Sequence, residues 1–202
     1  MVPRRVFLGF LWRFALLYGV LIAPWPGFNE NYGRCFRRLG ESVFAREEGL
    51  RLVHFEPVPA PLCRGLDTRI LLARRDQLDA HGSGPVRYLE LDTRGVGWVP
   101  TALIVALIIA TPVPWRRRGG ALVAGFLAVQ AFVVFSVADY IWNHSAEMGL
   151  VVLGSAWKRV VAGLEETLIT QMGASFVVPV LLWLLITLRR HDVAEWRKSV
   201  GK

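Results

Sequence analysis

Apolar positions gather in four blocks: "VFLGFLWRFALLYGVLIA" (6–23), "VGWVPTALIVALIIATPVPW" (96–115), "GALVAGFLAVQAFVVFSVADYIW" (120–142) and "LITQMGASFVVPVLLWLLITL" (168–188). Each approaches the roughly 20 residues needed to cross a hydrocarbon core about 30 Å thick. Arg13 interrupts the first block, and Gly173 and Pro179 interrupt the fourth. Between the first two blocks the periods shorten. Tyr32, Phe36, Leu39 and Val43 recur at helical spacing, with Gly49 as a stop. "LRLVHFEP" (50–57), "TRILLARR" (68–75) and "VRYLELDT" (86–93) read as strands. The last two flank a loop containing Gly82 and Gly84, which predicts an antiparallel hairpin.

This pattern predicts an α-helical polytopic membrane protein with four transmembrane helices and a small extracytoplasmic α+β insertion. The expected order is a cytoplasmic start and first span (1–23), the α+β domain (24–95), a second span (96–115) and a cytoplasmic turn (116–119). A third span (120–142), an extracytoplasmic amphipathic helix (143–167), a fourth span (168–188) and a cytoplasmic tail (189–202) follow. The amphipathic segment places Leu150, Leu153, Trp157, Val161, Leu164 and Leu168 at intervals of three or four. Such a helix either lies at the membrane interface or packs on the 24–95 domain.

Charge adds an orientation. The segments expected inside carry ten Arg and Lys against Asp192 and Glu195, which equals the whole net charge of +8. That one-sidedness is the positive-inside pattern, most telling in the short "PWRRRGG" turn, and places both termini in the cytoplasm of a bacterial inner membrane. It also argues against nucleic acid as a partner. Of 202 residues, 53% are hydrophobic, and the mean hydropathy is +0.39. The apolar start ends in "IAPW", where a proline disfavours cleavage, so the first block is expected to stay as an anchor.

The chemistry-bearing residues are few. "ADYIWNHSAE" closes the third block with a candidate polar cluster: Asp139, Tyr140, Asn143, His144 and Glu147. Asp139 lies about 28 Å along the helix from Gly120, a depth that expects a solvated helix exit at headgroup level. Arg13 is costly inside a membrane unless it snorkels or finds a partner, and Gln130 lies at comparable depth as an intramembrane polar pair. Cys35 and Cys63 fall in the outer segment, where either a disulfide or two free thiols fits. Cys35, His54, Cys63 and His81 lack metal-ligand spacing, and a Cys63–His54 nucleophile pair lacks an orienting third group. No catalytic residue, metal or cofactor is expected. The tetrapeptide "LDTR" recurs at 66–69 and 91–94; Asp and Thr suit strand ends and turns without any duplication.

The phrases "APWPG", "VGWVPTAL", "ATPVPWRRR" and "FVVPVLLWLLITLRR" together resemble small four-span bacterial inner-membrane proteins, among them the accessory membrane proteins that accompany exosortase systems. The resemblance implies a non-enzymatic accessory or assembly subunit of an envelope complex. Its partners would be the lipid bilayer and another membrane protein, held through the outer domain and the amphipathic helix. The alternative is a small membrane enzyme or proton-handling subunit working at Asp139, His144 and Glu147. A carrier is disfavoured, because no inverted repeat is visible.

Overall fold

The computed structural model describes residues 4–44, 51–59, 65–77, 84–148 and 174–187. They form five helices and three strands: α1 (Arg4–Ile22), α2 (Phe28–Phe44), β1 (Arg51–Pro57), β2 (Thr68–Arg74), β3 (Val86–Leu91), α3 (Val99–Ala110), α4 (Trp115–Glu147) and α5 (Ala174–Thr187). The chain divides into two compact units. One holds α1, α3, α5 and α4 up to Val133; the other holds α2, the sheet and α4 from Val134.

In the α+β unit the strands lie in the order β1-β2-β3, both pairings antiparallel. The hairpin expected between 68–75 and 86–93 is present, with Thr68 opposite Leu91 and Ile70 opposite Leu89. Alternation puts Val53, Phe55, Ile70, Leu72 and Leu89 on one face, all 5% exposed or less. Phe36 and Phe44 of α2 and Val137 and Ile141 of α4 pack against them to close the core. On the other face Arg69 bridges its neighbours in both adjacent strands, 3.8 Å from Glu56 and 3.1 Å from Glu90, with its guanidinium 4.8 Å over the Tyr88 ring.

The expected helix in residues 28–44 forms, but its inner face differs from the expected stripe. Leu39 is 65% and Val43 47% exposed, whereas Gly33 and Gly40 are buried. Close approach selected the glycines. A Cβ on Gly40 would lie 2.7 Å from Phe55 Cε1, nearer than van der Waals contact allows.

In the helical unit, α3 is apolar all round and almost wholly buried, with Ile104, Ala106 and Ile108 at 0% exposure. It packs against α1 and α5, and α4 meets it where Gly125 leaves room for Ile104 and Ile108. Phe10 of α1 stacks on Trp183 of α5, their centroids 5.8 Å apart.

The expectation of four transmembrane helices is overturned. Among the described residues one helix, α4, is long and apolar enough to cross a membrane. The apolar part of α1, Phe7–Ile22, reaches only about 24 Å at 1.5 Å per residue. α3 with the π-helical turn leading into it, Arg94–Ala110, reaches about 25 Å, and Pro112 and Pro114 cannot continue the helix. The 14 described residues of α5 span about 21 Å. Hydropathy measured apolarity, whereas these helices fall short in length. The inference that both termini share one side rested on an even number of spans and no longer follows.

The expected turn at 116–119 is also corrected. The chain turns at residues 111–114, and Arg116, Arg117 and Arg118 open α4. Arg118 Nη2 donates to the carbonyls of Thr111 and Val113, both at 3.1 Å, while Arg117 Nη2 donates to Thr187 O at 3.0 Å. Thr111 caps α3, so Arg118 satisfies a helix C-terminus where positive charge is favoured.

Candidate functional site

A polar node joins α2 to the ends of β2 and β3. Asp67 immediately precedes β2, and Thr93 follows β3 by two residues. Asp67 Oδ1 accepts from the Thr93 backbone N–H at 3.0 Å, and Oδ2 accepts from the Thr93 hydroxyl. Arg37 Nη1 reaches in from α2 to donate to Asp67 O at 3.2 Å and Thr68 Oγ1 at 3.1 Å. Gly33 makes the space: a Cβ there would sit 3.1 Å from both Arg37 Nη1 and Asp67 Oδ2. Thr68 and Thr93 are both 0% exposed. Tyr32, beside this node, has its phenol pushed up to about 12 by burial and then by the Asp67 charge.

The two "LDTR" copies therefore meet. Asp67 N donates to Leu91 O at 3.2 Å, and the Asp67 carboxylate of the first copy holds the threonine of the second. Their arginines diverge in role, since Arg69 bridges strands while the Arg94 amide donates to Asp92 Oδ1 at 3.0 Å. Each copy sits at a strand end, as the turn chemistry of Asp and Thr requires.

Next to the node is an open cleft of ≈ 540 Å³. Asn29, Glu30, Arg34 and Arg37 of α2 give it a polar wall, and Pro57, Val58 and Leu66 an apolar one. The volume falls within the usual range for binding sites. Sequence reading missed this cleft; the repeated "LDTR" was its available signal, and Arg37 had none.

A second unforeseen contact ties α2 to β1. Glu41 Oε1 accepts from the Phe55 N–H at 2.6 Å and lies 2.6 Å from His54 Nδ1. His54 thus has the orienting carboxylate that sequence reading did not supply, although its side chain is 56% exposed. Its imagined partner Cys63 lies outside the described residues, as does His81. Cys35 is exposed on α2, and the pairing of Cys35 with Cys63 falls outside the described residues. Among the described residues no three His, Cys, Asp or Glu side chains converge to hold a metal.

The "ADYIWNHSAE" cluster is partly assembled, and its expected solvation is corrected. Asp139 is 2% exposed. The depth argument ended the helix at Trp142, but α4 runs to Glu147 and leaves Asp139 about 12 Å inside it. His144 Nδ1 lies 2.9 Å from Tyr140 O, with the two rings edge-on at 4.6 Å. Asn143 is half-buried and its Nδ2 has no hydrogen-bond partner among the described residues. Glu147 instead reaches Arg87 of β3 at 2.7 Å. The rest of the expected amphipathic segment, from residue 149, lies outside the described residues.

Arg13 and Gln130 are not brought together. Arg13 is exposed on α1, while Gln130 Nε2 donates to Thr101 Oγ1 at 2.9 Å. That hydroxyl in turn donates to Gly97 O at 2.7 Å, completing a short polar chain within buried helix.

Comparison with protein families, curated proteins and solved structures finds no match to this chain.

Proposed function

We propose that this protein is a membrane-held accessory subunit of a bacterial envelope complex, with its α+β unit serving to bind a partner polypeptide. The observation that carries the reading is α4. Its apolar window has a mean hydropathy of 2.3, yet only 28% of it is buried. A core helix of a soluble protein would hide that surface; Val123, Phe126 and Leu127 of α4 are 47–62% exposed. Residues 119–138 carry no charge, and twenty residues rise about 30 Å, the hydrocarbon thickness. Arg116, Arg117 and Arg118 stand at one end of this run, which the positive-inside rule assigns to the cytoplasm.

The cleft of polar and apolar walls supports partner binding, since a peptide segment could present an acidic side chain to Arg34 while packing on Pro57 and Val58. The polar groups around it support a non-catalytic role: both oxygens of Asp67 are engaged by Thr93. Two measurements test the reading. Alkaline carbonate should leave the full chain in the membrane pellet; release into the supernatant overturns membrane insertion. A photo-crosslinker at position 34 should give one discrete adduct in cells, lost on Arg37→Ala, and an unchanged adduct pattern overturns the cleft.

Burial of Asp139 favours a second reading, proton handling at Asp139 and His144, because an enclosed carboxylate is costly without a purpose. Asp139→Asn preserves size and hydrogen-bonding capacity. Loss of the cellular phenotype with insertion intact would establish this second reading, and an unchanged phenotype would remove it.

A further inference from the structure

The described residues of the helical unit include six arginines, Arg4, Arg5, Arg13, Arg116, Arg117 and Arg118, and neither aspartate nor glutamate. Five of the six belong to one end. Trp98 Nε1 donates to Leu21 O at 2.9 Å, so the start of α3 lies beside the end of α1 and the two helices run antiparallel. Towards the other end Phe10 of α1 stacks on Trp183, whose Nε1 donates to Thr111 Oγ1 at 2.9 Å. α1 thus opens, with Arg4 and Arg5, at the end where α3 closes and α4 begins with Arg116, Arg117 and Arg118. We infer that this end binds the phosphate of an anionic phospholipid, with Arg116 as the guanidinium that pairs with it.

Charge calls for an anion. Arg118 donates to Thr111 O and Val113 O and lies 4.4 Å over the Trp115 ring, while Arg117 donates to Thr187 O. Carbonyls and a ring face satisfy N–H groups but carry no net charge, so the described residues of this unit leave the positive charge unbalanced. Arg117 and Arg118 are half-buried, and the lower effective dielectric there strengthens their attraction for an anion from outside. Arg116 is exposed and presents its guanidinium to solvent, where the planar fork matches two phosphate oxygens. Level selects a lipid over a soluble phosphate. The uncharged run of α4 starts at Gly119 and continues for the thickness of the hydrocarbon core. With that run among acyl chains, Arg116 stands about 4 Å beyond its boundary, where basic side chains next to a span attract anionic headgroups. Trp115, 79% exposed, is the side-chain type that concentrates at the same level.

This inference rests on the reading of α4 as the membrane-crossing helix, and the test separates the two. The detergent-solubilised full chain is titrated with phosphatidylglycerol or with phosphatidylcholine of the same acyl chains, and bound lipid is counted by native mass spectrometry. Phosphatidylglycerol should bind more tightly, by roughly fivefold or more. Arg116→Gln should weaken phosphatidylglycerol binding roughly fivefold, the effect of one arginine at a membrane surface, and leave phosphatidylcholine binding unchanged. Arg38→Gln, an equal loss of charge on exposed α2, should leave both unchanged. Equal affinity for the two lipids, an unaltered preference in Arg116→Gln, or the same loss in Arg38→Gln overturns the site. Displacement of phosphatidylglycerol by inorganic phosphate at constant ionic strength would assign the cluster to a soluble anion and equally overturn it. Alkaline carbonate extraction of the same chain reports on α4 separately. A chain retained in the membrane pellet without lipid preference loses the site alone, whereas release into the supernatant removes the membrane reading and the site with it.

Discussion

Replacing Asp67 by alanine should loosen the end of the β2–β3 hairpin by an amount that the geometry sets. The carboxylate accepts two bonds from Thr93, one from the amide at 3.0 Å and one from the hydroxyl. Hydrogen bonds to a charged group contribute about 1.5–3 kcal/mol each. Thr93 is 0% exposed, so both donors would be stranded. Asp67 itself is half-buried, and water entering beside Gly65 would recover part of the loss. The expected cost is therefore about 3 kcal/mol, at the lower end of the summed range. Asp67→Asn keeps an acceptor for the amide and offers a donor to the hydroxyl oxygen, so it should cost about 1 kcal/mol.

Hydrogen exchange on the full chain in detergent micelles reads this directly, because amide protection follows the free energy of local opening. The Thr93 amide and its neighbours across the ladder should exchange roughly 100-fold faster in Asp67→Ala, the ratio that about 3 kcal/mol produces. A Thr93→Val partner variant closes a double-mutant cycle, and the coupling should reach about 1–2 kcal/mol. Acceleration below about fivefold, or no coupling, would show that the Asp67–Thr93 contact does not hold the node.

Tyr32 gives a pH dependence. Its phenol is held at about 12 against an ordinary value of 10.0; stability is full below pH 10 and should fall by about 2–3 kcal/mol as pH rises through 12. Tyr32→Phe should abolish that alkaline loss in a denaturant titration, and an unchanged slope would refute it. Gly40→Ala should lower the thermal midpoint: crowding the Phe55 ring costs about 1–3 kcal/mol, which outweighs the helix-propensity gain of about 1 kcal/mol. Gln130→Leu should cost about 1 kcal/mol by removing its bond to Thr101, whereas Arg13→Gln should stay within about 0.5 kcal/mol. Equal effects at the two positions, measured by unfolding in detergent, would restore the Arg13–Gln130 pair.

What the sequence made legible was local. "VRYLELD" alternates, and a glycine-bearing loop joins it to "TRILLAR", so register and partner followed from pleat and turn. The facing of α2 did not follow, because hydropathy ranks Leu39 and Val43 above Gly33 and Gly40. Packing against Phe55 and around Arg37 demanded absence of side chain, which an apolar count cannot register. The number of spans failed for a related reason. Pro112 and Pro114 end the helical stretch Arg94–Ala110 short of a span, a stop signal present in "ATPVPW" but outweighed by composition. Charge carries more than one role: Arg117 and Arg118 enter the topological count, and they also donate to Thr187 O of α5 and to the carbonyl that ends α3. The Asp67–Thr93 contact joins residues 26 apart and had no local signature beyond the repeated tetrapeptide.

The helix α4 explains why so short an α+β segment is ordered. About 70 residues bury too little apolar surface to be secure alone, and one helix covers only part of a three-stranded face. Val137 and Ile141, 3% and 0% exposed, supply the missing apolar layer against Val53, Phe55, Ile70, Leu72 and Leu89. Arg87–Glu147 pins the last turn of the same helix to β3. The helix that meets the length and hydropathy of a membrane span is thus also a structural wall of the sheet. The wall is supplied by α4 from Val134 on, so truncating the helix after residue 133 would strip the sheet of it, whereas the apolar run ahead of that point can be replaced without removing Val137 or Ile141.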